Sequence, residues 1–336
     1  MANSKILSNS KRVKDDEYYT LYEDISNEVS RYSDQLRGKR IICPCDWDES
    51  YNEELVYKEE GITASDLFTN GTIKHLDIAA SKDKFEKDFD AIKCKFVKFL
   101  VAHAENYGIR SISVSGYNPR TGQGVKFQDI DYSNYDLVIT NPPYSVFHEF
   151  IRIMFDYHMQ FLVIGPLLAL TNSEIVKHLV RNELWLGYAK QLKGFERPDG
   201  TRLLSKDTGQ GTGTPRASKW YTNLDVHYRH DRLILTENYD DSLYPHICNY
   251  DAIMVSHVNK IPYDYTGKMA VPVSFMQKFN PEQFEVIGSS SELAQPFYVD
   301  GKKMSGRFYT KLSDGTYKRH FDCLVIRNLN PRPIEE

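Results

Sequence analysis

Residues 136–147 read Asp-Leu-Val-Ile-Thr-Asn-Pro-Pro-Tyr-Ser-Val-Phe. Pro142 and Pro143 carry no amide hydrogen, so an apolar strand over 136–140 must stop at Asn141, and the residues after it stand in a rigid extended turn. Such a turn suits the alkylation of a planar amino group whose lone pair is delocalised into a ring. If the Asn141 side-chain oxygen and the Pro142 carbonyl accept the two amino hydrogens, the lone pair is left directed at an electrophile. The fixed φ angles of Pro142 and Pro143 hold that carbonyl in place, and Tyr144 can lie flat over the ring bearing the amine. Positioning and preorganised acceptors carry this chemistry, with no strong base needed before a methyl group moves. A bare Pro-Pro strand stop with a solvent-facing tyrosine is the plain alternative. The apolar strand before the turn and the helix after it favour the chemical reading.

The elements that must position this turn follow from periodicity. Residues 17–36 have helical spacing, with Leu21, Ile25, Val29 and Leu36 near one face and Gly38 as the stop. A buried strand over 40–45 ends at Asp46. A helix over 96–107 stops at Gly108, and strands follow at 111–115 and 136–140. Helix 146–159, strand 161–164, helix 174–180 and a strand over 184–188 complete the pattern. Strands alternating with helices predict an α/β fold with a parallel, doubly wound sheet. Ligands on such sheets lie at the carboxyl ends of the strands, the edge where Asp46 and Asn141 fall. The long charged stretch over about 47–92 reads as an insertion on that edge.

With 336 residues the chain suits one or two domains. Hydrophobic residues at 41% and charged residues at 26% are those of an ordinary globular protein. A net charge of -4 argues against a wholly basic nucleic-acid binder and leaves room for local basic patches. The first residues lack a secretory h-region. The longest apolar run, 161–170, is short and broken by Gly165-Pro166, so a cytoplasmic protein with no membrane span is expected. Five scattered cysteines without a CxxC pair predict reduced thiols. His227 and His230 have no accompanying ligand set, so no metal is assigned. Residues 190–232 carry nine Lys/Arg against five Asp/Glu. Their Gly/Thr-rich loop, 207–215, is flanked by Lys206, Arg216 and Lys219. Such a loop can bring backbone amides close to phosphates, although it has no P-loop spacing and a Gly-rich hairpin with no ligand is the plainer alternative that sequence favours.

The stretch Asp136-Leu-Val-Ile-Thr-Asn-Pro-Pro-Tyr144 resembles motif IV of the amino-methyltransferases that use S-adenosylmethionine. Six further blocks narrow the resemblance: Lys14-Asp-Asp-Glu-Tyr-Tyr-Thr20, Ile42-Cys-Pro-Cys-Asp46, Tyr107-Gly-Ile-Arg with Ser115-Gly-Tyr117, Trp220-Tyr-Thr-Asn-Leu-Asp225, Asn249-Tyr-Asp-Ala-Ile253 and Ile261-Pro-Tyr-Asp-Tyr-Thr-Gly-Lys-Met-Ala-Val-Pro272. In this order they are similar to blocks of the EcoRI-type adenine-specific DNA methyltransferases, across residues 14–328. The C-terminal blocks carry no generic methyltransferase chemistry, which makes them more specific than Asn-Pro-Pro-Tyr. One departure from the wider class supports the subgroup: the glycine-rich first motif is replaced by Cys-Pro-Cys-Asp.

The resemblance implies an S-adenosylmethionine-dependent methyltransferase fold, a Rossmann-like doubly wound sheet, with a C-terminal target-recognition region. Residues 1–189 would form the cofactor-binding catalytic domain and 190–336 the DNA target-recognition region. The implied reaction transfers a methyl group to N6 of an adenine flipped out of duplex DNA. Asn141, Pro142, Pro143 and Tyr144 would be catalytic. Tyr19, Thr20, Cys45, Asp46, Asp129 and Phe147 would bind the cofactor, with Asp129 on its adenine amino group and Phe147 as an apolar wall. Lys206, Arg216, Lys219, Arg229 and Arg232 are the candidates for DNA contact. A cognate restriction endonuclease sharing the target site is a further expected partner. Two other readings share parts of the pattern. One is an RNA or protein-glutamine methyltransferase, against which the C-terminal blocks argue. The other is a non-catalytic DNA-binding or antirestriction protein on the same fold, against which the intact Asn141 and Tyr144 argue.

Overall fold

The computed structural model of the protein describes residues 19–46, 74–76, 78, 94–117, 124–197, 200–204 and 218–332. The chain forms two compact units that interleave along the sequence. One comprises Met1–Pro166 with Gly187–Leu224, the other Leu167–Leu186 with Asp225–Glu336.

The first unit begins with β1 (Tyr19–Thr20), α1 (Tyr22–Val29), a 3-10 turn and α2 (Ser33–Leu36). The single long helix expected over 17–36 is therefore broken. Pairing of Tyr19 and Thr20 with a distant strand removes its first turn, and the break inside it is the 3-10 turn Ser30–Tyr32. Next come β2 (Arg40–Cys43), β3 (Lys74–His75), α3 (Lys95–Tyr107), β4 (Ser111–Val114), β5 (Leu137–Thr140), α4 (Phe147–Asp156) and β6 (Gln160–Pro166). In chain order α5 (Ser173–Val180) and β7 (Trp185–Leu186) belong to the second unit. The first unit resumes with β8 (Gly194–Glu196), β9 (Arg202–Leu204) and β10 (Ser218–Thr222). Of the expected insertion over 47–92, only residues 74–76 and 78 are among those described.

The large sheet of this unit runs β3-β4-β2-β5-β6-β10. Strands β4, β2, β5 and β6 are parallel, as expected. The flanking β3 and β10 are antiparallel, so the sheet is mixed and not wholly parallel. Its inner strands are continuous apolar runs such as Leu-Val-Ile-Thr, all buried, which is how strands covered on both faces read. Pro44 has no amide to give and ends β2. Helix α3 buries Phe96, Val97, Phe99, Leu100 and Val101, and stops where Gly108 turns left-handed at φ 64°.

Strands β2 and β5 are braced at their starting ends. The Asp136 carboxylate accepts from the Arg40 backbone amide at 2.8 Å and from its guanidinium at 2.9 and 3.0 Å. That guanidinium holds the Asp136 carboxyl down at about 2.

A second brace comes from α1, whose buried face carries two acids one turn apart. Glu28, fully buried, accepts from the Tyr32 hydroxyl at 2.7 Å and from the amides of Tyr188 and Ala189 at 2.7 and 2.6 Å. Asp24 accepts from the amides of Lys193 and Gly194 at 2.8 and 3.1 Å. Burial raises the pKa of both carboxyls. Together they hold the segment leading into β8, which pairs with β1 and so fixes Thr20 opposite Phe195. Gly187 makes this possible, because a Cβ there would lie 2.1 Å from Glu28 Oε1.

The second unit is built on the order β11-β12-β18-β13. Its strands are β11 (Ile253–Met254), β12 (Lys268–Pro272), β13 (Phe284–Ser289) and, after two hairpins, β18 (Cys323–Asn328). Helix α5 packs on β13. The hairpins are β14 (Tyr298–Val299) with β15 (Lys302–Lys303), and β16 (Tyr309–Lys311) with β17 (Tyr317–Arg319). Among the described residues no helix is long and apolar enough to cross a membrane.

Glu28→Ala would leave two backbone amides and a hydroxyl buried without their acceptor, each costing about 1–3 kcal/mol. The expected loss of stability is about 3 kcal/mol or more. Urea unfolding checks this, and a variant within about 1 kcal/mol of wild type would show that the acid is not structural.

Candidate active site

In the order β4-β2-β5, the strands after β2 lie on opposite sides of it, so a crevice opens beyond the carboxyl ends of β2 and β5. Asp46 follows β2 and Asn141 follows β5. The Thr140 hydroxyl donates to Asp46 Oδ2 at 2.7 Å, joining the two strand ends. The Asp46 backbone amide bonds the Ser115 carbonyl at 3.0 Å, which ties the end of β4 to the same point. Burial pushes the Asp46 carboxyl up to about 7, against opposing hydrogen bonds from Thr140 and Cys94. Burial likewise raises the Cys43 and Cys45 thiols, so both stay protonated near neutral pH. Among the described residues no Lys, Arg or His pairs with Asp46, and no group of three or more His, Cys, Asp or Glu is placed to hold a metal ion.

Asn141 has one half of its amide engaged. Its Nδ2 donates to Thr20 Oγ1 at 3.4 Å, while Oδ1 is buried with no hydrogen-bond partner. Buried acceptors are rarely left open, and this one sits at the end of an apolar strand at the sheet's ligand edge. Pro142 is buried, and among the described residues no donor takes its carbonyl. Pro143 at φ -59° and ψ 126° carries the chain into the 3-10 turn Tyr144–Val146. The Tyr144 hydroxyl donates to the Ser218 hydroxyl at 2.7 Å, which fixes the ring, and burial raises its pKa.

The structure thus brings Thr20, Cys45, Asp46, Asn141 and Tyr144 to one edge of the first unit. Tyr19, half-buried, is paired with Glu196 in the small sheet. Asp129 is exposed on the 3-10 turn Phe127–Asp129. Phe147, expected as the wall of a cofactor pocket, is 2% exposed. Its ring fills the notch left by Gly165, where a Cβ would lie 2.2 Å from Cζ, and packs on Tyr221.

Two of the five expected DNA-contacting cations are buried instead of presented. Lys219 sits on the fully buried strand β10, and its ammonium donates to the Lys190 carbonyl. Arg229 lies with its guanidinium 3.5 Å over the Trp185 ring and bonds the Asn182 side chain. Burial lowers the pKa of each. Arg232 is exposed and lines a pocket with Arg332 and Asn330. Lys206, Arg216 and the 207–215 loop lie outside the described residues.

Thr140, Cys94 and Ser218 were not singled out by sequence. Thr140 adjoins the Asn-Pro-Pro-Tyr turn and reads as one more β-branched strand residue. Ser218 and Cys94 carry no local signal at all.

A buried, open amide oxygen and an open carbonyl at the end of a parallel strand, beside a fixed tyrosine, define a site able to take both hydrogens of a planar amino group. A family model described as the adenine-specific methyltransferase EcoRI matches residues 6–328, and the chain belongs to that family. It is 33% identical over 296 residues to the Type II methyltransferase M.EcoRI of Escherichia coli, covering 85% of this chain and 89% of that protein. It is 29% identical over 306 residues to the Type II methyltransferase M.MpnI of Mycoplasma pneumoniae, covering 86% of each. No solved structure matches the chain.

The folded Asp46 carboxyl keeps its proton to about 7, whereas the unfolded one releases it near 3.8. Between these values the folded state binds the extra proton, so stability falls as pH rises across that window. Asp46→Asn is expected to flatten that part of the curve. Denaturant unfolding of both proteins from pH 4 to pH 8 checks this, and parallel curves would contradict the assignment.

Proposed function

We propose that the protein is a site-specific DNA methyltransferase that transfers the methyl group of S-adenosylmethionine to N6 of an adenine flipped out of duplex DNA. The observation that carries this reading is the buried, unpartnered Asn141 Oδ1, with the rest of that amide tied to Thr20. The membership of the chain in the adenine-specific family agrees with it.

The residues present fit the cofactor. Asp46 is a carboxyl beside the catalytic turn, raised in pKa by burial and without a cationic partner among the described residues. It would hold a positively charged group, with Tyr19, Thr20 and Cys45 around it and Asp129 as the acceptor for an adenine amino group. When bound, S-adenosylmethionine supplies a methyl group activated on a positively charged sulfur.

The chain's own residues do the rest. Asn141 Oδ1 and the Pro142 carbonyl accept the two N6 hydrogens, which turns the nitrogen lone pair out of conjugation with the ring and favours the positive charge that develops as the N–C bond forms and the methyl–sulfur bond breaks, its electron pair staying on sulfur. The methylated nitrogen then releases one of its two hydrogens as a proton to solvent. Tyr144, fixed through Ser218, stacks on the base. Extrusion of the base costs a few kcal/mol of stacking and pairing, and the tyrosine returns part of it. Target recognition is assigned to the chain beyond residue 190, and a cognate restriction endonuclease sharing the target site is the expected partner.

The test is methyl transfer from labelled S-adenosylmethionine to mixed-sequence duplex DNA, followed by nucleoside analysis and mapping. N6-methyladenine confined to one short motif is the expected result. Label found in RNA or protein but not in DNA would overturn the reading. Asn141→Ala is expected to keep DNA and cofactor binding and to lower turnover by about 10²-fold or more, as for loss of a preorganised polar contact. Tyr144→Phe keeps the ring and loses only its tether to Ser218, so it should retain most of the activity that Tyr144→Ala loses. Equal losses in the two variants would locate the effect in the hydroxyl.

A further inference from the structure

The paired hairpins over 297–321 in the second unit combine a rigid root with an unpaired basic surface. The root is Asn249, 6% exposed. Its Nδ2 donates to the carbonyls of Gln295 and Arg307 at 3.0 and 2.8 Å, and its Oδ1 accepts from the Tyr309 amide at 3.2 Å. Next to it Tyr250 stacks on Phe308 with ring centres 5.4 Å apart. Phe297 stitches the hairpins together, stacked on Tyr309 and edge-on to Tyr317, each at 5.1 Å. The turns are tight: Asp300 and Gly301 both take positive φ, and Asp314 caps the amide and hydroxyl of Thr316.

What this frame displays is charge of one sign. Residues 297–321 hold six Lys/Arg against two Asp in a chain whose net charge is -4. Lys302, Lys303, Lys311, Lys318 and Arg319 are exposed, and none is ion-paired among the described residues. Arg307, the sixth, is spent on Asp322 at 3.0 Å. In the β16–β17 register Lys311 lies opposite Tyr317 and Arg319 opposite Tyr309, so two cations share a face with two tyrosines. Phe321 stands beside them 95% exposed, with Tyr298 at 59% and Leu312 at 43% on the same module. An apolar group of this kind within a basic surface is not a scattered surface residue. Cations that meet phosphates beside a flat apolar ring that meets bases are the complement of a nucleic-acid duplex.

We propose that these hairpins are a duplex-DNA contact surface of the protein. Lys311 and Arg319 lie on backbone phosphates, and Phe321 is set against the bases. The proposal rests on the DNA methyltransferase reading above and adds to it the element that grips the duplex. None of the five cations singled out from sequence belongs to this module.

The test uses the full chain and a fluorescent duplex carrying the site mapped by methyl transfer, with affinity measured by anisotropy over a range of salt concentrations. The proteins are wild type, the double variant Lys311→Gln/Arg319→Gln, Phe321→Ala, and Lys278→Gln as a control exposed elsewhere in the same unit. The altered side chains are at the surface, so all four should share one unfolding midpoint. Removing two phosphate contacts should make the slope of log affinity against log salt shallower by about 2. Phe321→Ala should weaken binding about tenfold at an unchanged slope, the size of a lost base-stacking contact. Lys278→Gln should bind as wild type. If wild type binds and methylates DNA while both hairpin variants bind equally well, the hairpins are not the DNA surface and the methyltransferase reading stands. If wild type neither binds nor methylates duplex DNA, that reading falls and the proposal falls with it.

Discussion

The candidate site depends on the register between β2 and β5. Two parallel strands joined through Ile41–Leu137 and Ile42–Val138 are held at their starts by Arg40 on Asp136 and at their ends by Thr140 on Asp46. A slip of one residue would turn Thr140 and Asn141 to opposite faces of the sheet. The ion pair at one end and the hydroxyl–carboxyl bond at the other make such a slip cost polar contacts as well as apolar burial. The chemistry proposed for the turn that follows is positional and needs a fixed origin, which this strand pair supplies.

A second constraint comes from outside the large sheet. Thr20 reaches Asn141 only because β1 is paired to β8, and the chain into β8 is held by carboxylates on α1. Glu28 and Asp24 spend their acceptor capacity on backbone amides. Burying two acids this way raises their pKa values, and the amides they satisfy offset that cost. The open Asn141 Oδ1 is one of several buried polar atoms without a hydrogen-bond partner, Gln160 Oε1 and Trp220 Nε1 among them. It is set apart by its place, at the carboxyl end of β5, on the edge where open α/β sheets take their ligands.

The replacement of a glycine-rich first motif by Cys-Pro-Cys-Asp has a structural account. Pro44 stops β2, and the chain turns so that the Asp46 amide meets Ser115 while its carboxyl meets Thr140. The crevice edge thus carries Cys45 and the Asp46 carboxyl where a glycine turn would offer backbone amides. The second unit is a different kind of construction, a small β-sheet with two short polar hairpins rooted on the buried side chain of Asn249. Its Asn249-Tyr-Asp-Ala-Ile253 block has no catalytic chemistry of its own, and Asn249 and Tyr250 do their work in supporting those hairpins.

By itself the sequence determined the strand end and rigid turn within 136–147, the buried strands β2, β5 and β6, and helix α3 with its glycine stop. These are local properties: proline removes amides, apolar runs specify burial, and glycine permits positive φ. The long-range partners were not legible. Thr20 and Asn141 are 121 residues apart, Asp46 and Thr140 are 94 apart, and Tyr144 and Ser218 are 74 apart. Nor does a lysine or arginine announce its burial, and Lys219 and Arg229 read as surface cations until a buried strand and a tryptophan face claim them. The strands β12 and β18 of the second unit are short apolar runs, and nothing local to either points to the other as its partner, as in the pairing of Ala270 with Val325. Only the tertiary structure decided these points, because each depends on which distant segment packs alongside, and local sequence does not specify that.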